Sequence, residues 1–297
     1  MIRSKVWGAL APLAVLSVLA ACGGGGGGGS GTGTLTLSIT DAPIDEAASV
    51  VVEFTGVELK PAGGSRVVFD FDTPRQIDLL ALQGNDSTPL LDGVEVPAGN
   101  YNWIRLKVNA DEGTLNSYVV LVEGGAQEPL FIPSGGETGL KLVSGFTVAQ
   151  GGIADFTIDF DLRKSVHDPV GQEGFHLRPA LRLLDNLEVG SISGTVAESL
   201  VTDASCTNGN AVYLYTGNGA VVDDEGSANP PLASALVVFD EDSGEYRYEI
   251  GFVAEGPYTV AFTCQSADDT PDLDDDIDFV GAADVDVTAG ADTQHDF

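Results

Sequence analysis

The sequence predicts an all-β protein made of two tandem β-sandwiches, and three observations carry that expectation. Apolar stretches are short, alternate with polar residues and are rich in Val, Ile, Thr, Phe and Tyr, the pattern of half-buried strands. Turn signals built on Gly, Pro, Asn and Asp return every 8–12 residues, and beyond residue 22 no stretch holds an apolar period of 3.6 over three helical turns. Near Gly190 the strand pattern restarts and the charge balance changes, so the 297 residues divide into two units, each large enough for its own core.

Residues 1–33 carry an address and no fold. Arg3 and Lys5 precede an apolar run, Val6 to Ala21, that is too short and too interrupted by Gly8 and Pro12 to span a bilayer as a helix. It reads as a secretory signal covering residues 1–21. The segment Leu19-Ala20-Ala21-Cys22 resembles the bacterial lipobox, which implies cleavage before Cys22, lipidation of that Cys and anchoring by acyl chains without a transmembrane helix. The alternative is an ordinary cleaved signal that releases a soluble protein. Gly23, where inner-membrane retention commonly uses Asp, implies the outer membrane under the same resemblance. Residues 22–33 then form a Gly/Ser tether with an r.m.s. span of roughly 17–20 Å.

From Thr34 the strands follow in order. Leu35, Leu37 and Ile39 alternate with Thr and Ser until Asp41-Ala42-Pro43 ends the run. Val50–Leu59 is the second strand, with a bulge expected at Gly56 to keep Val57 and Leu59 inward. Val67–Phe71 and Ile77–Leu80 come next, then a Pro97–Asn100 turn feeding the strand Asn102–Asn109. Tyr118–Val122, Leu130–Ile132, Leu140–Val143, Phe146–Val148, Ala154–Leu162 and Phe175–Leu184 complete the first sandwich, residues 34–189. The second, residues 190–297, restarts with Ser191–Val196 and continues with Val212–Tyr215, Ala235–Asp240, Tyr246–Phe252, Tyr258–Cys264 and Ala283–Val287.

Three spaced segments, Thr34–Pro43, Gly139–Phe146 and Asp159–Val166, resemble a bacterial lipoprotein domain of unknown function, number 4382, over about residues 34–187. That resemblance implies an envelope address and supplies no catalytic residues. Gly190–Val196 and the Gly256-Pro257-Tyr258 turn resemble transthyretin-like and carboxypeptidase-regulatory-like sandwiches. The turn echoes Pro97–Tyr101 in the first half.

Charge narrows the partners. The net charge is −32, and residues 190–297 hold 22 acidic side chains against one basic residue, Arg247. Such a surface repels nucleic acid and anionic headgroups, which leaves an envelope protein or a glycan as the expected partner. Three Cys are present; with Cys22 lipidated, Cys206 and Cys264 are expected to form a disulfide worth roughly 3–4 kcal/mol, since no CxxC or nearby His suggests a metal.

Candidate chemistry is sparse, and no enzyme is predicted. The acidic loop offers Asp272, Asp274, Asp276 and Asp278 as calcium ligands, although it lacks the mid-loop Gly and closing Glu of an EF-hand, and a solvated charge run is the alternative. Calcium is the one cofactor the sequence suggests. Asp155, Asp159 and Asp161 read as the polar outer face of their strand. His167 reads as a turn residue before Pro169, and neither an HExxH nor a GxSxG motif is present. Tyr101, Trp103, Arg105 and Lys107, expected on one strand face, form the best binding candidate, because aromatics interleaved with cations suit a sugar ring or an acidic partner. The function expected is a non-enzymatic binding or structural module of the cell envelope. The alternative is a calcium-stabilised surface adhesin or carbohydrate-binding lipoprotein.

Overall fold

The computed structural model describes residues 31–297 except 43–46, 123, 133–138, 169–170, 172, 179, 204–205 and 207–208. The signal, Cys22 and the tether to Ser30 therefore lie outside the described residues. Thr32 and Gly33, expected in the tether, instead open the first strand and pair with Pro97 and Val96.

Strands dominate, as their β-branched and aromatic content requires, and among the described residues they form four sheets. Sheet I is four-stranded, in the order Leu181–Asp185, Ile153–Asp161, Thr32–Ala42, Thr88–Pro97, with its two central strands parallel. Sheet II has nine strands around Ala47–Pro61, which pairs with Val67–Asp78, Gly99–Asn109 and Tyr118–Leu121. Sheet III runs Val238–Asp240, Glu245–Ala254, Val189–Val196, Asp292–Gln294, and sheet IV runs Ala233–Leu236, Ala211–Thr216, Gly256–Thr263, Val280–Val287. The opening strand of sheet I and that of sheet III each pair antiparallel on one side and parallel on the other. Among the described residues no helix is long and apolar enough to cross a membrane.

Apolar alternation builds the cores. Leu35, Leu37, Ile39, Phe156, Ile158 and Phe160 from sheet I meet Val52, Phe54, Val57, Leu59, Ile104 and Leu106 from sheet II. Phe54 and Phe160 cross edge-to-face at 6.3 Å, and Phe146 lies 4.7 Å from Tyr101 and 5.3 Å from Phe156. Between sheets III and IV, Ile192, Tyr248 and Ile250 pack on Val212, Leu214, Val260, Phe262 and Val285. Tyr258, Val260, Phe262 and Cys264 line one face as expected, and Cys264 is bonded to Cys206 with their Cα atoms 4.9 Å apart.

The register of Ala47–Pro61 slips between Phe54 and Gly56 against both neighbours, which is the expected bulge. Other elements differ from the expectation. Val67–Asp78 is one strand where two were expected, whereas Phe175–Leu184 divides between sheets II and I. Thr88–Pro97 was not foreseen: its Pro89, Pro97 and Asp92-Gly93 read as breakers, and an edge position tolerates them. The echo between the halves proves to be one device used twice. The Tyr101 hydroxyl donates to Pro97 O at 2.7 Å, the Tyr258 hydroxyl to Ala254 O at 2.8 Å, and each Tyr follows a Gly at positive φ, Gly99 or Gly256. A Tyr reaching back four residues pins the corner that starts its strand.

Candidate functional site

The strand Ile153–Asp161 directs Phe156, Ile158 and Phe160 into the first core, so Thr157, Asp159 and Asp161 must point away from it. That outer face is not solvated: Thr157 is 0% and Asp159 5% exposed. The expected polar surface is instead the junction with the second half. Arg182, directly across the ladder from Asp159, donates to its carboxylate through Nε at 2.9 Å and through Nη2. Burial pushes the Asp159 carboxyl up and Arg182 pulls it back, with a net rise.

Above this pair lies a cleft of about 430 Å³, large enough for a small ligand. The first half contributes Thr40, Gln83, Asp159 and Arg182; the second contributes Ser193, Ser234, Asp240, Arg247, Tyr248 and Glu249. The Thr40 hydroxyl is within hydrogen-bonding distance of Leu82 O (2.9 Å) and Asp86 O (2.7 Å), which fixes the loop at one rim. At that rim Asn85 Nδ2 donates to Glu249, and the chains touch so closely that a Cβ on Gly251 would lie 2.0 Å from Gly84 O. Only glycine fits there.

The other end of the junction centres on Arg163. Its strand stops at Asp161, whose carboxylate accepts the Lys164 amide at 3.2 Å and caps a single helical turn, Leu162–Ser165. That turn carries Arg163 into the second half. Nη1 donates to the Tyr213 hydroxyl at 3.1 Å and Ser266 O at 3.0 Å, and Nε lies 3.7 Å from Glu225 Oε1. Arg163 and Glu225 are 8% and 6% exposed. Tyr213 in turn donates to Asp269 at 2.6 Å. Burial raises the Glu225 carboxyl to about 7, with Arg163 acting against it, and raises Asp269 as well. Lys164 Nζ reaches Asp161 at 3.1 Å and Pro231 O at 3.4 Å.

The acidic loop is anchored, not merely solvated. Ile277 and Phe279 pack on Tyr213 and Tyr215 across the outer face of sheet IV, with Phe279 5.5 Å from the Tyr213 ring. The expected quartet does not converge: Asp272, Asp274, Asp276 and Asp278 are all exposed, Asp276 and Asp278 being turned outward as Ile277 and Phe279 turn in. Of these four, only Asp274 enters a cluster of carboxylates, and its companions there are Asp223 and Asp224 from another loop.

The expected binding face also changes. Tyr101 is 2% exposed and belongs to the first core, because the pairing slips between Lys60 and Pro61 and reverses the facing of Tyr101 relative to Trp103. Trp103, Arg105 and Lys107 do share the outer face of sheet II. There Arg105 and Lys141 lie 5.1 and 4.8 Å from the Trp103 ring, Arg105 pairs with Glu58 at 3.2 Å and Lys107 with Asp70. His167 is a strand residue opposite His176, not a turn residue; its Nε2 sits 2.9 Å from Lys164 O.

Sequence reasoning missed Arg163, Tyr213 and Glu225, and it placed Asp269 in the acidic cluster without a role at the junction. Arg163 sits in one of the segments that carry the family resemblance, and Asp223-Asp224-Glu225 is a second acidic run before Gly226. Those were the available signals.

No curated protein matches the chain. Among solved structures, a minor pilin of Streptococcus agalactiae is 10% identical over 88% of this chain and 94% of its own, with a TM-score of 0.20. A candidate adhesin of Bacteroides ovatus is 9% identical over 94% and 88%, TM-score 0.21. A candidate polysaccharide-binding protein of Bacteroides thetaiotaomicron is 11% identical over 77% and 76%, TM-score 0.18. Residues 32–179, which contain Arg163 and most of the first sandwich, match the family described as Domain of unknown function (DUF4382).

Proposed function

We propose that the protein is a lipid-anchored component of the cell envelope, held through Cys22 at the outer membrane, that binds a polar ligand in the cleft between its two sandwiches without transforming it. The observation that carries this reading is the shared cleft: both halves supply charged and hydrogen-bonding side chains to it, Asn85 ties its rim to Glu249, and Arg163, outside its lining, joins the two halves elsewhere at the junction. Arg182 and Arg247 stand among Asp159, Asp240 and Glu249, which suits a ligand that both donates and accepts, such as a glycan segment or an envelope peptide.

Retention of the chain on immobilised peptidoglycan fragments and envelope polysaccharides tests the cleft. Arg247→Ala with Gln83→Ala should lose retention that the wild type shows; equal retention by both would refute the site. The second reading, an adhesin using an aromatic platform, rests on Trp103, and loss of retention in Trp103→Ala alone would favour it. Cys22→Ser should move the protein from the membrane to the soluble fraction; unchanged membrane association would refute the lipid anchor.

A further inference from the structure

We infer that Asp224 is the centre of a divalent-cation site of the calcium class, built by two loops that are far apart in sequence. Asp224, Asp269 and Asp275 each place a carboxylate oxygen within 4.8 Å of the others, and Asp223, Asp224 and Asp274 form a second such group. Asp224 belongs to both. The site is separate from the cleft and does not depend on its reading.

Clustered acids alone would not require an ion. The second observation is the state of Asp224, which is 0% exposed. Its Oδ2 accepts the Asp275 amide, but its buried Oδ1 has no hydrogen-bond partner. A buried carboxylate oxygen without a donor, on a residue that has other carboxylates within 4.8 Å, is costly unless something positive meets it. Among the described residues no Lys or Arg pairs with Asp223, Asp224, Asp274 or Asp275, while Arg163, the nearby cation, is directed at Glu225, Tyr213 and Ser266. A cation supplies the missing charge.

The ligand set names the class. All five groups are carboxylates, with no His or Cys, which disfavours zinc and copper. Calcium takes six to eight oxygens in adaptable geometry, whereas magnesium demands a tight octahedron and keeps its waters. Asp269 also accepts from the Tyr213 hydroxyl that Arg163 contacts, so an ion here would brace the loops that receive Arg163.

Calorimetric titration of Ca2+ into the chelator-treated full chain in detergent tests the site. The expected result is one Ca2+ per chain, with Asp224→Asn at least tenfold weaker and Asp276→Asn/Asp278→Asn, two exposed acids outside both groups, within twofold of wild type. Melting gives an independent reading. In chelator Asp224→Asn should melt at or above the wild type, since a buried unpaired charge is gone, and Ca2+ should raise the wild type alone. Should Asp224→Asn fail to fold, Asp275→Asn carries the same expectations for Ca2+ affinity. No uptake by the wild type at millimolar Ca2+, unaltered affinity in the folded site variant, or equal weakening in the Asp276/Asp278 variant would overturn the assignment.

Discussion

Replacing Arg163 with Met keeps most of the side-chain volume and removes the buried charge. Three things are lost: the donor to Ser266 O at 3.0 Å, the donor to the Tyr213 hydroxyl at 3.1 Å, and the counter-charge 3.7 Å from Glu225. Breaking a buried pair from one side costs about 3–5 kcal/mol, because the remaining charge stays desolvated. Glu225 can limit that cost by taking a proton. Holding it neutral at pH 7.5 against an ordinary value of 4.5 costs about 4 kcal/mol at 1.36 kcal/mol per unit, of which the wild type, with this carboxyl at about 7, already bears about 3, so the variant adds about 1. Near pH 5 that term falls below about 1 kcal/mol, leaving mainly the lost hydrogen bonds. Arg163→Met should therefore lose roughly 3 kcal/mol at pH 7.5 and roughly 2 at pH 5. Urea unfolding followed by far-UV circular dichroism measures both values, and the variant should also separate one transition into two as the sandwiches uncouple. Adding Glu225→Gln should recover much of the loss at pH 7.5, the mark of direct coupling. A loss below about 1 kcal/mol at pH 7.5, or an equal loss at both pH values, would refute the reasoning.

Glu225 also sets a pH slope in the wild type. With its carboxyl raised to about 7, the folded state keeps a proton that the unfolded chain releases from 4.5 upward, so its contribution is intact below pH 4.5 and is lost as pH rises through 7. The cost is about 3 kcal/mol, and Glu225→Gln should flatten the slope between pH 5 and 8 in parallel denaturation series. Tyr101→Ala should cost about 3–5 kcal/mol by emptying a core position, and Trp103→Ala less than about 1.5, measured by the same unfolding; the reverse order would restore Tyr101 to the surface. Reducing the Cys206–Cys264 bridge should cost about 4 kcal/mol, since it spans 58 residues, and a melt with and without reductant reads it.

Legibility followed the scale of the physics. Alternation is local, so strands such as Phe146–Val148 and the Gly56 bulge could be read before any partner strand was known. The same logic failed for Tyr101, because a slip in register is decided by the neighbouring strand and leaves no mark in its own sequence. Thr88–Pro97 was hidden for a related reason: proline argues against a strand until its edge position is known. The site was less legible still. Polar residues alternating with a core face read equally well as solvated or as docked, so Asp159 gave no hint that a second sandwich would cover it. In the acidic loop, attention to charge obscured Ile277 and Phe279, the two side chains that determine where the loop lies.

The uneven charge of the two halves gives the junction a physical reason. Residues 190–297 have 22 acids and only Arg247 to answer them, so a carboxylate buried there finds little cationic charge within its own half. The first half lends Arg163 to Glu225 and lays Lys164 against Pro231 O. Two sandwiches on one chain would ordinarily be expected to move relative to each other. Here separation would strip Glu225, buried in the assembled chain, of its only ion-pair partner among the described residues and cost Arg163 its acceptors, Ser266 O and the Tyr213 hydroxyl. Docking is thus a condition of the acidic core's stability, and the cleft inherits its fixed walls from that condition. It follows that the second sandwich expressed alone should be markedly less stable at pH 7.5 than within the chain, and that Glu225→Gln should narrow the gap; an isolated second sandwich as stable as the whole would show that the junction holds the cleft for some other reason.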